Sequence, residues 1–261
     1  MHILLTNDDG IFAPGLAALY EKLKPFGKIT VVAPQDVQSG AGHSISLKAI
    51  RCEYLDIVGK FSGYSVDGSP ADCVKLAVNE LISPDDPIDL VISGMNHGAN
   101  VGINVFYSGT VAGAIEGGFY GFPAIAVSAA FDEEPMKFSE CAEYACTVIK
   151  QLLPVSPGQV VSINIPRLSK QKPKGIRIAA QSTHGFEECY ESKKDQNGEP
   201  IYYLTGGIHL DPEGSQEWSD TQSVAEGYIT ITSLRLDLTD LEGNKKLAQK
   251  EYTLNDHVES I

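Results

Sequence analysis

The chain has 261 residues, of which 43% are hydrophobic and 21% charged, and its formal net charge is −14. This composition is typical of a globular protein and argues against intrinsic disorder. The acidic balance argues against nucleic-acid polymers as partners, because their binding depends on Lys and Arg side chains. We find no apolar stretch long enough to span a membrane and no signal peptide. The five cysteines form no C-x-x-C pair, and we therefore expect reduced thiols. Together with the lack of a membrane-spanning stretch, this predicts a cytoplasmic location and no membrane partner.

The first 165 residues alternate between predicted strands and predicted helices. Strands are predicted at "HILLTN", "KITVVAP", "IDLVISG" and "PAIAVSA", which are short apolar runs. Helices are predicted at "APGLAALYEKLKPFG", "DGSPADCVKLAVNELIS", "TVAGAIEGGFYG" and "FSECAEYACTVIKQLL". In the second helix, Ser69 suits the N-cap and Pro70 the first helical position. This alternation predicts an α/β fold with a Rossmann-like, mostly parallel sheet and helices on both faces.

The later part of the chain has a different pattern. The stretches "GIRIAAQ", "IYYLTGG" and "GYITITSL" resemble strands, and a charged, glycine-bearing segment, "ESKKDQNGEP", lies among them. Such spacing is typical of hairpins. We therefore predict a smaller antiparallel β subregion, built onto the first part from about residue 166.

Three polar loops follow predicted strands: "NDDG" after the first, "QSGAGHS" after the second and "GMNHGAN" after "DLVIS". In open α/β sheets, ligands bind at the carboxyl ends of the strands. The loops would bring together four oxygen-donor side chains: Asp8, Asp9, Ser39 and Asn96. Such hard donors suit Mg²⁺ or Mn²⁺, with Ca²⁺ as an alternative. A cation would cancel the repulsion between the adjacent carboxylates of Asp8 and Asp9, although "NDDG" could also be a simple turn.

A second part of the predicted site is the segment "YSGTVAGAIEG". Ser108, Gly109 and Thr110 stand at the start of a predicted helix, where backbone amides bind anions. The hydroxyls of Ser108 and Thr110 could add two donors to a bound phosphate. The alternative is an ordinary helix cap.

The loop after the second strand adds Gly40 and His43 as candidate phosphate contacts. His43 and His97 could each donate a proton to a leaving group or hold a ligand. Each could equally be an ordinary loop histidine, so neither is predicted to be an essential acid.

A metal next to an anion cradle predicts hydrolysis of a phosphate ester. The cation would lower the pKa of a bound water and withdraw charge from the phosphoryl oxygens. Asp8 or Asp9 could then orient that water or accept its proton.

Two alternatives stay open. A haloacid-dehalogenase-like phosphatase uses an Asp nucleophile in a D-x-D pair, whereas Asp8 and Asp9 are adjacent. A non-catalytic nucleotide-binding or regulatory module would fit the sheet and the cradle. The chain, however, has no G-x-G-x-x-G after the first strand and no P-loop.

Five stretches together resemble the SurE family of survival proteins, which are metal-dependent nucleotidases. They are "ILLTNDDGIFAPGL", "VVAPQDVQSGAGHSISL", "VDGSPADCVKLAV", "DLVISGMNHGANVGINVFYSGTVAGAIEG" and "SDTQSVAEGYITITSL". The resemblance implies one divalent cation per subunit, held by Asp8, Asp9, Ser39 and Asn96, of which Asp8, Asp9 and Asn96 serve catalysis. It also implies that Ser108, Gly109 and Thr110 contact the phosphate.

The resemblance further implies substrates and assembly. The expected substrates are nucleoside 5'-monophosphates, with 3'-monophosphates and polyphosphate as further possibilities in the family. The expected assembly is a homodimer or homotetramer that exchanges C-terminal segments. We accordingly expect one domain over residues 1–261, with a Rossmann-like core (1–165), a β-rich subregion (166–234) and a C-terminal arm (235–261).

Overall fold

The structure is a computed structural model that describes residues 1–132, 135–183, 189–205 and 218–252. The strands are β1 (His2–Thr6), β2 (Lys28–Pro34), β3 (Cys52–Ile57), β4 (Phe61–Val66), β5 (Leu90–His97), β6 (Ala124–Ala129), β7 (Val160–Ile165), β8 (Ile176–Ile178), β9 (Cys189–Lys194), β10 (Pro200–Thr205) and β11 (Ile229–Leu234). The α-helices are α1 (Pro14–Leu23), α2 (Pro70–Leu76), α3 (Gly109–Phe119), α4 (Phe138–Leu152), α5 (Asp220–Ala225) and α6 (Leu241–Leu247). Short 3-10 turns cover Lys24–Phe26 and Gly102–Phe106, and a π-helical turn covers Ala77–Leu81.

Among the described residues, nine strands form one sheet in the order β3-β4-β2-β1-β5-β6-β7-β11-β8. From β4 to β7 in that order, each strand is parallel to the next one. The edges differ, because β3 is antiparallel to β4 and β11 is antiparallel to β7. The predicted mostly parallel α/β sheet is therefore confirmed.

The helices cover both faces of the sheet, as predicted. Helices α1 and α4 pack together on one face, and α2 and α3 pack together on the other. Successive side chains of β1 enter opposite cores: Ile3 and Leu5 contribute to the first and Leu4 to the second. This alternation follows from the two-residue period of a strand. With helices on both faces, the strand ends become the open edge where loops can form a site.

The second half of the chain differs in part from the predicted subregion. Strands β9 and β10 do form a separate two-stranded antiparallel sheet. In contrast, β8 and β11 extend the main sheet, with β8 parallel to β11. The hairpin of β3 and β4 was not predicted, because β3 is mostly exposed and has no continuous apolar run to reveal it.

The C-terminal segment is described as far as residue 252 and contains α6, which buries none of its side chains. Residues 253–261 of the predicted arm lie outside the described residues. None of the described helices is long and apolar enough to cross a membrane.

Candidate active site

The first carboxylate of the site lies at the end of β1, underneath the first turn of α3. The Asp8 side chain is 3% exposed, and the Thr110 hydroxyl donates a hydrogen bond to its Oδ1 atom. A Cβ atom on Gly109 would lie 2.8 Å from the Asp8 Cβ. The close approach of α3 to Asp8 therefore requires glycine at the first helical position.

The second carboxylate connects β1 to β5. The Oδ2 atom of Asp9 accepts a hydrogen bond from the backbone N–H of His97 at 3.1 Å. The turn after β1 is closed by Asn7, whose Nδ2 donates to the Gly10 carbonyl at 2.9 Å. Because Asn7 closes the turn, a turn alone does not account for the two acidic residues that follow it.

The loop after β2 is tied to both neighbouring parts of the site. The Gln38 N–H donates to the Asp8 carbonyl at 2.7 Å, and the Gly42 N–H donates to the Tyr107 carbonyl at 3.0 Å. Ser39 and Gly40 lie exposed between these two tethers. Gly40 has a φ of +73°, a conformation that favours glycine.

The far end of the same loop is held by the start of α2. Ser69 and Asp72 form a capping box, which confirms Ser69 as the N-cap and Pro70 at the start of the helix. The Ser69 hydroxyl also donates to the Ser44 carbonyl at 2.7 Å, and Asp72 Oδ1 accepts from the Ser46 N–H at 3.0 Å. One helix cap thus also fixes the loop that carries Ser39.

Asn96 is half-buried at the end of β5. Its Nδ2 donates to the Gly98 carbonyl at 2.7 Å, which leaves Oδ1 as the atom without a hydrogen bond among the described residues. An amide oxygen presented in this way is a suitable ligand for a hard cation.

The charges of the site favour a cation. Burial raises the pKa of Asp8 to about 6; the charge of Asp9 adds to this shift, and hydrogen bonds from Thr110 oppose it. Burial also raises the pKa of Asp9, against the opposing effect of His97. Neither carboxylate forms an ion pair with Lys or Arg within the described residues. Two adjacent carboxylates, one buried and one half-buried, that pair with no Lys or Arg in the described part of the chain fit a divalent cation.

The predicted donor set does not depend on a cluster of acidic, histidine and cysteine side chains. In the described part of the chain, no group of three or more His, Cys, Asp or Glu side chains is placed to hold a metal ion. The predicted set has only two carboxylates, and its other donors are the hydroxyl of Ser39 and the amide oxygen of Asn96.

The predicted phosphate cradle has two different halves. Ser108 is the N-cap of α3, and its hydroxyl oxygen accepts from the Val111 N–H at 3.0 Å. This is the helix-cap interpretation, and it leaves the Ser108 hydroxyl proton for another acceptor. The Thr110 hydroxyl, in contrast, is already committed to Asp8. Thr110 therefore orients Asp8, the first of the predicted metal ligands.

His43 belongs to a cluster of three ionisable residues that the sequence did not reveal. Its Nε2 atom lies 2.7 Å from Glu116 Oε2, and Lys75 Nζ lies 2.7 Å from Glu116 Oε1. Although burial opposes it, hydrogen bonds from His43 and Lys75 hold the pKa of Glu116 below its ordinary value. The His43 ring also stacks on Phe119, with ring centroids 5.5 Å apart. The motif "AIEGG" carried no signal for this role beyond an acidic residue in an otherwise uncharged helix.

A cavity of about 640 Å³ opens beside the N-terminus of α3. Its lining is mainly apolar and includes His43, Ser108, Phe106, Phe119, Gln181 and Leu238. The volume lies in the range of small-molecule sites. His43 and Ser108 face the same space, so both side chains can reach one ligand.

A further buried carboxylate supports the loop between β5 and α3. Asp220 accepts backbone N–H groups of Gly102, Ser182 and Thr221 at 2.9, 2.9 and 2.8 Å. Burial raises its pKa, and these hydrogen bonds oppose the shift. The stretch "SDTQSVAEG" was part of the family resemblance, but nothing in the sequence indicated that its Asp holds a loop.

Comparison with known proteins identifies the family. The sequence profile described as "Survival protein SurE" matches residues 3–188. Proteins named 5'-nucleotidase SurE from Aeromonas hydrophila and Desulfitobacterium hafniense are 40% and 42% identical, over 92% and 95% of this chain and 94% and 96% of theirs. The crystal structure of the SurE protein from Aquifex aeolicus superposes with a TM-score of 0.80 at 36% identity, covering 95% of this chain and 99% of that one. The chain belongs to the SurE family.

Proposed function

We propose that the protein is a metal-dependent phosphomonoester hydrolase that removes phosphate from nucleoside 5'-monophosphates. The name 5'-nucleotidase, carried by relatives that match over most of the chain, supports the reaction class. The single observation that carries the mechanism is the pair Asp8 and Asp9, which lies at the end of β1 without a Lys or Arg partner among the described residues. Nucleoside 3'-monophosphates and polyphosphate are further candidate substrates.

In this proposal Asp8, Asp9, Ser39 and Asn96 hold one divalent cation, Mg²⁺ or Mn²⁺, with Ca²⁺ as an alternative. When bound, the cation lowers the pKa of a water ligand and withdraws charge from the phosphoryl oxygens. Thr110 fixes the Asp8 carboxylate by its hydroxyl hydrogen bond. The Asp9 carboxylate is fixed by the His97 N–H, and Asp8 or Asp9 orients the attacking water or accepts its proton.

The substrate phosphate lies at the N-terminus of α3. There the Ser108 hydroxyl and the Gly109 N–H donate to its oxygens, and the positive end of the helix dipole favours the anion. Gly40 and His43 approach from the loop after β2, which the Gly42–Tyr107 hydrogen bond holds against the start of α3. The nucleoside extends into the adjacent cavity of about 640 Å³, which is large enough for a drug-sized ligand.

We further propose a homodimer or homotetramer that assembles through residues 235–261. Leu238, Leu241 and Leu247 are 78%, 61% and 51% exposed, and α6 buries no side chain. Exposed leucines on a segment whose helix buries no side chain support contact with a second copy. We also propose a cytoplasmic location, which the five free thiols support.

The test is phosphate release from a panel of nucleoside monophosphates. It is run after chelation and again after Mg²⁺ or Mn²⁺ is restored. We expect activity to be lost and then recovered. Activity that is indifferent to the chelator would contradict the metal mechanism, and trapping of an aspartyl-phosphate on Asp8 would replace it with an Asp-nucleophile mechanism. Nucleotide binding without hydrolysis in either condition would favour a binding module.

A further inference from the structure

We propose that Glu116 is a positioning residue that holds His43 against the substrate phosphate and is itself held by Lys75. The inference rests on the proposed phosphate site at the start of α3. It assigns a role to two residues, Glu116 and Lys75, that the mechanism above does not use.

The geometry joins three separate elements. Glu116 lies on α3, His43 on the loop after β2 and Lys75 on α2. The two carboxylate oxygens of Glu116 are divided between its partners, with Oε2 2.7 Å from His43 and Oε1 2.7 Å from Lys75. An ionised carboxylate can only accept, so the His43 Nε2–H donates this bond.

Burial argues against a role in stability alone. The Glu116 side chain is 3% exposed, whereas His43 and Lys75 are 29% and 40% exposed. Removing a carboxylate from water is costly, and buried ion pairs often contribute no more stability than apolar residues of similar size. A carboxylate buried between two side chains that reach solvent is better explained by the orientation that it imposes on one of them.

The orientation of the His43 ring is fixed from two directions. Glu116 holds Nε2, and the face of the ring stacks on Phe119 at an interplanar angle of 18°. Nδ1 is therefore the ring atom left for a ligand, and in the protonated imidazole it carries an N–H that can donate to a phosphate oxygen. The cavity that His43 lines is also lined by Ser108, the proposed phosphate contact, so the two side chains border one space.

The decisive experiment measures KM and kcat for a nucleoside monophosphate in Glu116→Ala, Glu116→Gln, His43→Ala and the double variant His43→Ala/Glu116→Ala. We expect Glu116→Ala and His43→Ala each to raise KM by about tenfold, the loss of one hydrogen bond, with kcat changed by less than about threefold. The double variant should be no worse than His43→Ala, because Glu116 acts through His43. Glu116→Gln retains one acceptor oxygen and should recover part of the loss.

The control is Glu143→Ala, which removes a helical glutamate paired with Lys22 at 3.1 Å on the opposite face of the sheet. Its KM should equal that of the wild type. Additive effects of the two single substitutions, or an unchanged KM in folded Glu116→Gln and Glu116→Ala, would overturn the inference. If Glu116→Ala does not fold, the same comparison is made with Glu116→Gln, in the wild-type and His43→Ala backgrounds.

Calorimetric binding of inorganic phosphate separates this inference from the proposed function. A wild-type protein that hydrolyses nothing, but loses phosphate affinity about tenfold on Glu116→Ala, would reject the hydrolase and retain the positioning role. An active wild type whose phosphate affinity is the same in every variant would retain the hydrolase and reject the positioning role.

Discussion

The hydrogen bond between Thr110 and Asp8 can be removed without changing the shape of the site. Thr110 is 0% exposed, and its hydroxyl donates to Asp8 Oδ1 from the first turn of α3. Valine has nearly the shape of threonine and lacks only this donor. Thr110→Val therefore tests whether the helix prepares the carboxylate for the cation.

The magnitude follows from the charge on the acceptor. A hydrogen bond to an ionised group contributes about 1.5–3 kcal/mol, and each ~1.4 kcal/mol corresponds to a tenfold change in an equilibrium constant. Burial already raises the pKa of Asp8 to about 6, and the Thr110 hydroxyl opposes that shift. Without the hydroxyl, ionising Asp8 becomes still less favourable. We therefore expect the dissociation constant for Mn²⁺ to rise by about 10- to 100-fold.

The assay is calorimetric titration of Mn²⁺ into chelator-treated protein, with phosphate release measured over the same range of Mn²⁺ concentrations. Thr110→Ser is the matched control, because it keeps the hydroxyl and loses only a methyl group; its affinity should stay within about threefold of wild type. A Thr110→Val protein that folds normally and binds Mn²⁺ like the wild type would refute the reasoning. Asp8 would then owe its orientation to its backbone hydrogen bonds and to packing against Gly109.

Four other substitutions test the site. Asp8→Asn should abolish turnover while circular dichroism stays unchanged, and full activity in this variant would contradict the metal mechanism. Ser108→Ala should lower the rate by roughly 10²–10³ and the stability by about 1 kcal/mol through loss of the cap; a stability loss without a rate loss would make Ser108 a cap only. Gly109→Ala places a Cβ 2.8 Å from the Asp8 Cβ, so metal affinity should fall in a titration with Mn²⁺. Asp220→Ala leaves three backbone N–H groups without their acceptor, and we expect a loss of about 1–3 kcal/mol in urea unfolding.

Strands that are buried on both faces were the most predictable part of the fold. Every residue of β1 and β6 is buried, and such strands read as apolar runs. Strand β7 is equally buried, but its sequence includes the polar Ser162 and Asn164 and it was not among the predicted strands. Strand β3 has a mostly exposed face, so its pattern gave no signal. The position of β11 next to β7 is a pairing between distant segments, and local periodicity cannot reveal which strands become neighbours.

The proposed oxygen donors of the site could be named from the sequence because each follows a predicted strand. Asp8 and Asn96 end adjacent parallel strands, β1 and β5, and strand ends of this kind form ligand sites. The supporting contacts were not predictable, because they depend on how α3 packs. The Thr110 hydroxyl was expected to face the phosphate and instead faces Asp8, and Glu116 reaches His43 across 73 residues of sequence.

Hydrogen bonds within the chain hold two of the predicted metal ligands and the loop that carries a third. One oxygen of Asp8 is held by Thr110, and one oxygen of Asp9 is held by the His97 N–H. The loop that carries Ser39 is fixed to the Asp8 carbonyl by Gln38. Each of these bonds joins two different segments of the chain, so the segments cannot move independently. Orientation of this kind spares a bound cation and phosphate the entropy cost of ordering their ligands. Substitutions that break one of these hydrogen bonds between segments should therefore weaken the binding of the metal and of the phosphate together. Loss of a single donor side chain should weaken only the binding of the cation or phosphate that it contacts.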